Sequence, residues 1–316
     1  MKILYLIRTH QKPDQIYRLV RTIRKANPSS IIVLSHSAES APLDLSPLSD
    51  LPGHPIQCLY ASVRRCDMSL VNAYLDAVEW IYSQNIEFDW LVNLSGQCYP
   101  TQPLQNLENL LNETEYDGFM EHFELFSGGA PWPLEQCKDR YLYHYWKTGM
   151  HLSHWQLTAI KPLIAAVNRI QNFIRLHWFN NELILGRHVS TPFNSKFIGY
   201  GGSYFHMLSA DCVKFLLHFL RSAQGRRLID FYEDTLIPDE SIFQTVLVNN
   251  GSFKFYGQNI HYISWSKPND GRPGIVSSEH LPKLARDDIF FARKFDVEKD
   301  PEILSALDER IFAAQG

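Results

Sequence analysis

Residues 3–34 read ILYLIRTHQKPDQIYRLVRTIRKANPSSIIVL, and this stretch decides the class of fold. Residues 3–7 form a continuous apolar run, which is typical of a strand buried on both faces. Residues 13–26 place Ile16, Leu19, Val20 and Ile23 at helical spacing, and residues 31–34 are a second apolar run. A strand, a helix and a second strand in this order predict parallel strands joined by a crossover helix.

The same alternation continues along the chain. Helical spacing returns at 68–82, a short strand is predicted at 90–94, and a further helix at 103–111. Such a rhythm predicts a parallel sheet covered on both faces, with right-handed crossovers. Ligands of these sheets bind beyond the carboxyl ends of the strands. Here those ends fall near residues 9–10, 35–36 and 95–96.

The second half is less regular, and its predicted elements are mixed. Helices are predicted at 155–176, 209–221, 281–285 and 301–311, and a further helix from Pro238 onward. Ser209 is the predicted N-cap of the helix at 209–221. Strands are predicted at 204–208 and within 253–265. The sequence therefore predicts one α/β domain over residues 1–316, with a mixed, mostly parallel central sheet.

Composition excludes several classes of protein. The net charge is −4 and the pI about 6.3, so the basic excess of a nucleic-acid binder is absent. No apolar run reaches the length of a membrane span. The five cysteines are scattered without a C-x-x-C pair, which favours a reducing, cytoplasmic location and argues against a zinc site. The G-x-G-x-x-G, P-loop, H-E-x-x-H, G-x-S-x-G and D-x-D motifs are also absent.

Four segments carry the chemistry. They are LSGQCYP at 94–100, GGSYF at 201–205, TLIPDES at 235–241 and FARKFD at 291–296. Their order and content resemble the core-2/I-branching N-acetylglucosaminyltransferases and peptide O-xylosyltransferases, glycosyltransferase family 14. The resemblance runs from Leu6 to about Leu307. The chain resembles a soluble, bacterial-type member of the family, because no membrane anchor or stem is evident in the sequence.

This resemblance implies a GT-A-like, Rossmann-type α/β/α sandwich and an inverting transferase that needs no metal ion. It implies transfer of a sugar, of N-acetylglucosamine or xylose type, from a UDP-sugar to a glycan acceptor hydroxyl. Residues 1–120 would form the nucleotide-binding half and residues 121–316 the acceptor and catalytic half. A lipid-linked or capsular acceptor would bring the chain to a membrane surface, but no amphipathic anchor is evident in the sequence.

Glu240 matches the catalytic base of the family. Inversion needs one base to deprotonate the acceptor hydroxyl as it attacks. Pro238 suits the first turn of a helix, so Glu240 is predicted in that turn, where the helix dipole would keep its carboxylate ionised. The alternative is that an acidic residue there is only a helix-start signal. Neighbouring Asp239 is predicted to have a structural role.

Arg293 and Lys294 match the basic segment that contacts the diphosphate, and Arg272 is a possible additional cation. Charge grows on the diphosphate as the glycosidic bond breaks, and without D-x-D it must be stabilised by cations. Arginine can also bind phosphate through two hydrogen bonds. The alternative is a solvated basic pair on a surface turn.

The remaining candidates contact the two substrates. His10 and Ser37 are predicted on the donor side, at the ends of the first two strands. Gly202 and Ser203 are predicted on the acceptor side, where glycine permits close approach of the backbone to a sugar, with a plain tight turn as the alternative. Tyr262 and Trp265 would stack on acceptor sugars, with ordinary packing as the alternative.

The donor half departs from the family pattern. Ser37 and Cys98 stand where the family has aspartates, and Arg65-Cys66 stands where it has Trp-Gly. A thiol with an ordinary pKa cannot replace a carboxylate at neutral pH. Either the donor pocket is retuned, or the chain is a carbohydrate- or nucleotide-binding module without transfer activity. A glycoside hydrolase would need a second carboxylate, and the sequence shows no evident partner for Glu240.

Overall fold

The computed structural model describes residues 1–151, 153–179, 182–265 and 273–313. Its strands, numbered in chain order, are β1 Ile3–Thr9, β2 Ile31–Ser37, β3 Gln57–Ala61, β4 Trp90–Ser95, β5 Cys98–Pro100, β6 Gly118–Met120, β7 Phe123–Glu124, β8 Tyr143–His151, β9 Ile174–Phe179, β10 Glu182–His188, β11 Tyr200–Gly201, β12 His206–Ser209, β13 Phe255–Tyr256, β14 His261–Ile263 and β15 Phe291–Arg293. Its helices are α1 Pro13–Ala26, α2 Ser69–Ser83, α3 Leu104–Glu113, α4 Leu134–Tyr141, α5 His154–Ile170, α6 Ala210–Arg221, α7 Ala223–Glu233, α8 Ile242–Val248, α9 Leu281–Leu284 and α10 Pro301–Phe312.

The central sheet has seven strands in the order β13-β6-β12-β4-β1-β2-β3. Strands β4, β1, β2 and β3 run parallel, β12 is antiparallel to both of its neighbours, and β13 is parallel to β6. The predicted mixed, mostly parallel sheet is thus confirmed. Strand β12 from the second half of the chain pairs directly with β4, so both halves build one sheet.

Two apolar cores cover the two faces of this sheet. Ile3, Tyr5 and Ile7 of β1 face one core together with α1, α3 and α10. Leu4 and Leu6 face the other core together with α2, α6 and α8. A strand with apolar residues on both sides can be buried in this way only between two helical layers. The predicted GT-A-like α/β/α sandwich is therefore confirmed.

The sequence pattern located most elements of the first half but not the segment 143–188. There β8, β10 and β9 form a separate antiparallel sheet, and the helix predicted at 155–176 ends at Ile170. The side-chain oxygen of Gln171 accepts the N–H groups of Phe173 at 2.8 Å and Ile174 at 2.7 Å, which turns the chain into β9. The β-branched and aromatic residues of β9 then pair with β10 instead of continuing the helix.

A small sheet joins the end of the chain to the carboxyl edge of the central sheet. In it β15 lies between β14 and β5, so Arg293 is in register with Ile263 on one side and Cys98 on the other. Strand β5 follows directly after β4, whose carboxyl end lies at the predicted ligand-binding edge. No helix in the described part of the chain is long and apolar enough to cross a membrane.

Candidate active site

The turn that carries Glu240 differs from the prediction. Pro238–Glu240 is a separate 3-10 turn, and α8 begins only at Ile242. Ser241 interrupts the helix because its hydroxyl donates to the carbonyl of Tyr200 at 2.7 Å and is hydrogen-bonded to the Tyr232 hydroxyl at 2.6 Å. Side chains of this kind compete with helical hydrogen bonding. The prediction is therefore met in part: a helical turn opens at Pro238 and contains Glu240, but it is a 3-10 turn separate from α8.

Side chains and backbone from three segments hold this turn in place. Ile237 adopts a left-handed conformation with φ 55°, which is costly for a β-branched residue. Its N–H donates to the carbonyl of Cys66 at 3.1 Å, and its carbonyl accepts the hydroxyl of Tyr141 at 3.0 Å. Cys66 is itself left-handed, with φ 65°, at the position where the family pattern has glycine. Strain of this kind is typical of functional sites, where the surrounding structure maintains it.

Gly202 fixes the position of Glu240 from the other side. Its N–H donates to the carbonyl of Glu240 at 2.9 Å. A Cβ at this position would lie 1.9 Å from the carbonyl oxygen of Glu121, a backbone atom that cannot move aside easily. The backbone of Ser203 donates to the carboxylate of Glu121. The backbone at Gly202 thus lies close to the backbone of Glu121, and both are beside Glu240.

The Glu240 carboxylate is held by an arginine that the sequence analysis did not select. Arg140 Nη1 donates to Glu240 Oε2 at 2.8 Å, and the Arg140 guanidinium lies 4.3 Å from the centre of the Trp132 ring. Burial raises the pKa of Glu240, and the charges of Arg140, Arg293 and Arg65 oppose that rise. The side chain is still 31% exposed, so a ligand can reach it. The charges of these three arginines, and not the predicted helix dipole, therefore favour the ionised form of the Glu240 carboxylate.

Two more carboxyl groups lie near Glu240. Asp239 is buried, and its Oδ1 has no hydrogen-bond partner within the described ranges. Burial, together with the charge of Glu240, raises the pKa of Asp239 to about 7. Burial and the same charge also raise the pKa of Glu121. Glu121 was not evident from the sequence, because it is 119 positions from Glu240 and reaches the site through the pairing of β7 with β11.

Arg293 is a partly buried cation whose charge acts on the pKa of Glu240. Its guanidinium carbon lies 4.5 Å from the centre of the Phe205 ring, and its Nε has no hydrogen-bond partner among the described residues. The residue opposite it on β5 is Cys98. Burial raises the pKa of this thiol, and both the N–H and the hydroxyl of Ser95 lie 3.2 Å from its sulfur. As expected from the sequence, Cys98 stays neutral, so β5 presents no carboxylate to Arg293.

Further cations lie at the ends of β1 and β15. Arg8 stands at the carboxyl edge in register with Ser35 and Ser95, and its buried Nη1 has no partner in the part of the chain that the structure describes. Partial burial of the His10 ring, together with the charges of Arg8, Lys294 and His36, lowers the pKa of this residue. The structure thus places His10 and Lys294 at the same edge as Arg8. Arg8 was missed by the sequence analysis, although its position at a strand end could have suggested it.

Ser37 orients a carboxylate two residues further along. Its hydroxyl donates to Glu39 at 2.6 Å, and the hydroxyl of Ser62 also donates to Glu39. These hydrogen bonds lower the pKa of Glu39 to about 2. The negative charge of Glu39 also acts on Arg8. Glu39 is therefore an exposed acidic residue two positions after the place where the family pattern has an aspartate. Its position just beyond the end of a strand was the signal in the sequence that could have identified it.

The structure does not bring every predicted residue to Glu240. Tyr262 is in register with Ala292, on the face of the small sheet opposite to Arg293, and it packs edge-on against His280. Trp265 is 60% exposed at the last described position of its segment. Arg272 lies outside the described residues. Within the described ranges, no group of three His, Cys, Asp or Glu side chains is placed to hold a metal ion.

The fold and the site together define an α/β/α protein with a group of carboxyl side chains around Glu240 and several cations at the carboxyl edge of a mostly parallel sheet. The chain belongs to the Core-2/I-Branching enzyme family, whose model matches residues 3–285.

Known relatives support this membership at low identity. The chain is 23% identical over 246 residues to the beta-glucuronosyltransferase GlcAT14A of Arabidopsis thaliana, covering 77% of this chain and 47% of that protein. It is 22% identical over 273 residues to the xylosyltransferase oxt of Drosophila melanogaster, covering 77% of this chain and 26% of that protein. The chain thus spans about half the length, or less, of these relatives.

Among solved structures, mouse xyloside xylosyltransferase 1 in its apo form is similar over 92% of this chain and 97% of that one. The TM-score is 0.40 and the identity 10%, which is too low to support an argument about the site.

Proposed function

We propose that this chain is an inverting glycosyltransferase that transfers a sugar from a UDP-sugar to an acceptor hydroxyl without a metal ion. The observation that carries the proposal is the accessible carboxylate of Glu240 in the same site as Arg293, a cation whose buried Nε has no hydrogen-bond partner among the described residues. In the reaction the acceptor oxygen forms a bond to the anomeric carbon, and its proton passes to Glu240. The bond from that carbon to the diphosphate oxygen breaks, and its electron pair leaves with UDP.

Glu240 has the properties of a general base. A base works best when its pKa is near the working pH, and burial raises the pKa of Glu240 from the ordinary range of glutamate. Arg140 limits that rise and fixes one carboxylate oxygen, Oε2. The other oxygen has no hydrogen bond to Arg140, and the partial exposure of the side chain leaves room for an acceptor hydroxyl.

Arg293, Lys294 and Arg8 would bind the diphosphate. Arg293 and Arg8 each have a buried N–H group without a partner among the described residues, which is costly unless a ligand supplies an acceptor. Phosphate oxygens are suitable acceptors, because arginine binds them through charge-assisted hydrogen bonds. The neutral Cys98 opposite Arg293 leaves that cation free to balance the charge of the leaving group.

Glu39 would replace the nucleoside-binding aspartate of the family. Ser37 and Ser62 hold its carboxylate at the carboxyl end of β2, where it can accept hydrogen bonds from ribose hydroxyls or a base N–H. His10 would lie beside the nucleotide whose ribose or base contacts Glu39. Ser37 would then act on the donor through Glu39, and the donor site would be retuned rather than lost.

The acceptor would lie on the Glu240 side, near Gly202, Ser203 and Glu121, with the exposed Trp265 available for stacking on a sugar ring. Transfer of N-acetylglucosamine or xylose agrees with the family resemblance. Glucuronic acid is a third candidate donor sugar, because the two plant relatives are named as glucuronosyltransferases.

Calorimetric titration with UDP in the presence of EDTA tests the proposal, with GDP, CDP and dTDP as controls. We expect selective binding of UDP, and release of UDP from one of UDP-N-acetylglucosamine, UDP-xylose or UDP-glucuronic acid when an acceptor is supplied. UDP binding that requires a divalent metal ion would contradict the metal-free part of the proposal. Absence of binding to all four nucleotides would contradict the donor site.

The second candidate function is a nucleotide- or carbohydrate-binding module without transfer activity. It is favoured by the replacement of two family aspartates by Ser37 and the neutral, buried Cys98. The two functions differ in outcome, because a module would bind UDP but release none from any donor and acceptor pair.

A further inference from the structure

The segment 143–188 concentrates exposed apolar side chains. Fifteen large apolar residues lie exposed in the described part of the chain, and eight of them fall in this segment. They are Trp146, Met150, Trp155, Leu163, Ile170, Phe173, Ile174 and Leu185. Exposed apolar residues are ordinary when scattered, but a contiguous group marks an interaction surface.

Strand pairing aligns three of these residues on the outer face of the small sheet. Leu185 is in register with Trp146, and two residues further along Arg187 is in register with Ile174. Residues two apart on a strand share a face, so these four side chains lie together. The opposite face carries Tyr143, Tyr145 and Ile184, which are buried against Leu236. The sheet thus covers the protein with one face and presents apolar residues to solvent with the other.

Helix α5 adds a second apolar strip beside the sheet. Its side chains Trp155, Leu163 and Ile170 are exposed by 71%, 64% and 82%. Successive helical residues are rotated by about 100°, which places these three within an arc of about 80°. Asn168 hydrogen-bonds both the N–H and the carbonyl of Leu176, at 2.9 and 2.8 Å, and so ties the helix to β9. The apolar residues of α5 and of the sheet therefore belong to one unit.

The charge of this unit is opposite to that of the rest of the chain. Residues 143–188 contain two lysines and three arginines but only one acidic residue, Glu182, a net charge of +4 within a chain of net charge −4. Arg175 is engaged by Asp139 at 2.5 Å and Glu135 at 3.4 Å. The other four cations are exposed: Lys147, Lys161, Arg169 and Arg187. A surface that combines exposed tryptophan and leucine with lysine and arginine has the chemistry of elements that lie on anionic membranes.

We propose that the unit formed by β8, α5, β9 and β10 docks the protein on an anionic lipid bilayer. Apolar side chains from α5 and from the outer face of the sheet would enter the interfacial region, while Arg169, beside the apolar strip of α5, and Arg187, on the outer face of the sheet, contact lipid headgroups. The inner face of the sheet packs on Leu236, four residues before Glu240, so docking brings the Glu240 side of the site toward the membrane. The amphipathic anchor was not evident in the sequence because its residues come from four elements.

Vesicle flotation of the full chain tests this proposal, with phosphatidylcholine vesicles compared with vesicles that also contain phosphatidylglycerol. We expect binding to the anionic vesicles only, weakened by high salt because exposed charges are screened. Arg169→Glu with Arg187→Glu should reduce binding about tenfold or more, since each cation near the surface contributes to attraction. The matched control, Lys283→Glu with Lys299→Glu, makes the same change in net charge at exposed sites outside the unit and should bind as the wild type does.

Apolar contact is tested separately by Trp155→Ser with Ile170→Ser, against Leu134→Ser with Ile275→Ser at exposed sites elsewhere. The first pair should lose vesicle binding and the second should keep it, with unchanged melting temperatures in both. Three outcomes would overturn the proposal. They are no binding to either vesicle, equal loss in the control variants, or a dimer seen by light scattering that the first pair dissociates, which would make a second copy of the chain the partner.

Discussion

The two sides of the candidate site are prepared for their ligands in different ways. On the Glu240 side, backbone and side-chain hydrogen bonds from Gly202, Cys66, Tyr141 and Arg140 already fix the turn. On the edge formed by β1 and β15, Arg8 and Arg293 each keep a buried N–H group that no described residue accepts. Contacts within the protein hold the turn on the Glu240 side, whereas the cationic edge keeps hydrogen-bond donors that an anionic ligand could use.

This difference has a physical reason. A general base must be held in one geometry, and the fold can supply every contact that holds it. A diphosphate site must keep unpaired donors until the ligand arrives, because charge-assisted hydrogen bonds to phosphate are its source of affinity. Mutations on the Glu240 side should therefore change turnover or stability, and mutations at the cationic edge should change nucleotide binding.

The largest expected effect is on the Glu240 side. Glu240→Gln should lower kcat by about 100-fold or more, because the amide cannot take the acceptor proton. Affinity for UDP, measured by calorimetry, should change little, since the diphosphate cations remain. Asp239→Asn is the matched control, because it alters the adjacent carboxyl while leaving the base, and it should retain most of the turnover. A Glu240→Gln variant with wild-type turnover would exclude this residue as the base.

The next largest effect is expected on nucleotide affinity, which should depend on the cationic edge and not on the Glu240 side. Arg293→Ala should weaken UDP binding by about 10- to 100-fold, in line with the loss of charged hydrogen bonds. Its comparison is Arg18→Ala, which removes an arginine paired with Asp308 on the surface between α1 and α10 and should leave the affinity unchanged. Equal affinities in the two variants, measured by calorimetry in EDTA, would contradict the diphosphate role.

A smaller effect tests whether the Glu240 side is fixed by the fold itself. Gly202→Ala should destabilise the protein by about 1–3 kcal/mol, because the new methyl group meets the Glu121 backbone and overpacking costs energy in this range. Gly128→Ala has no atom within 4 Å of the added carbon and is the control. Urea unfolding of the two variants measures the difference. Equal stabilities would show that the close approach at Gly202 is not tight.

The smallest effect concerns the buried Asp239. Burial raises the pKa of Asp239 to about 7 in the folded protein, above its unfolded value. The folded state therefore binds more protons than the unfolded state, and this contribution to stability is lost as pH rises through about 7. The Asp239→Asn variant has no such ionisation. The free energy of unfolding of this variant minus that of the wild type should therefore be larger at about pH 8 than at about pH 5, by about 1–2 kcal/mol. Thermal unfolding at the two pH values measures this, and a difference independent of pH would mean that Asp239 titrates normally.

Hydrophobic patterns in the sequence predicted an element correctly where both the periodicity of its side chains and the residues that determine its ends lie close together in the sequence. The prediction of residues 13–26 as a helix matches α1, and the apolar runs at 3–7, 31–34 and 90–94 lie within β1, β2 and β4. The same patterns missed the break between the turn at Pro238 and α8, where the hydroxyl of Ser241 bonds to Tyr200 and Tyr232. They failed at 171–176, where pairing with β10 replaces the helix. Both differences come from partners outside the local segment.

The sequence by itself determined the class of fold, the family and the identity of Glu240, Arg293 and Lys294 as candidates, because these depend on periodicity and on short contiguous motifs. Only the tertiary structure decided which residues surround Glu240. Arg140, Glu121 and Gly202 reach it from separate elements, and Cys98 opposes Arg293 through strand register. Distances, burial and charge at this site are properties of the packed chain, and a linear pattern does not contain them.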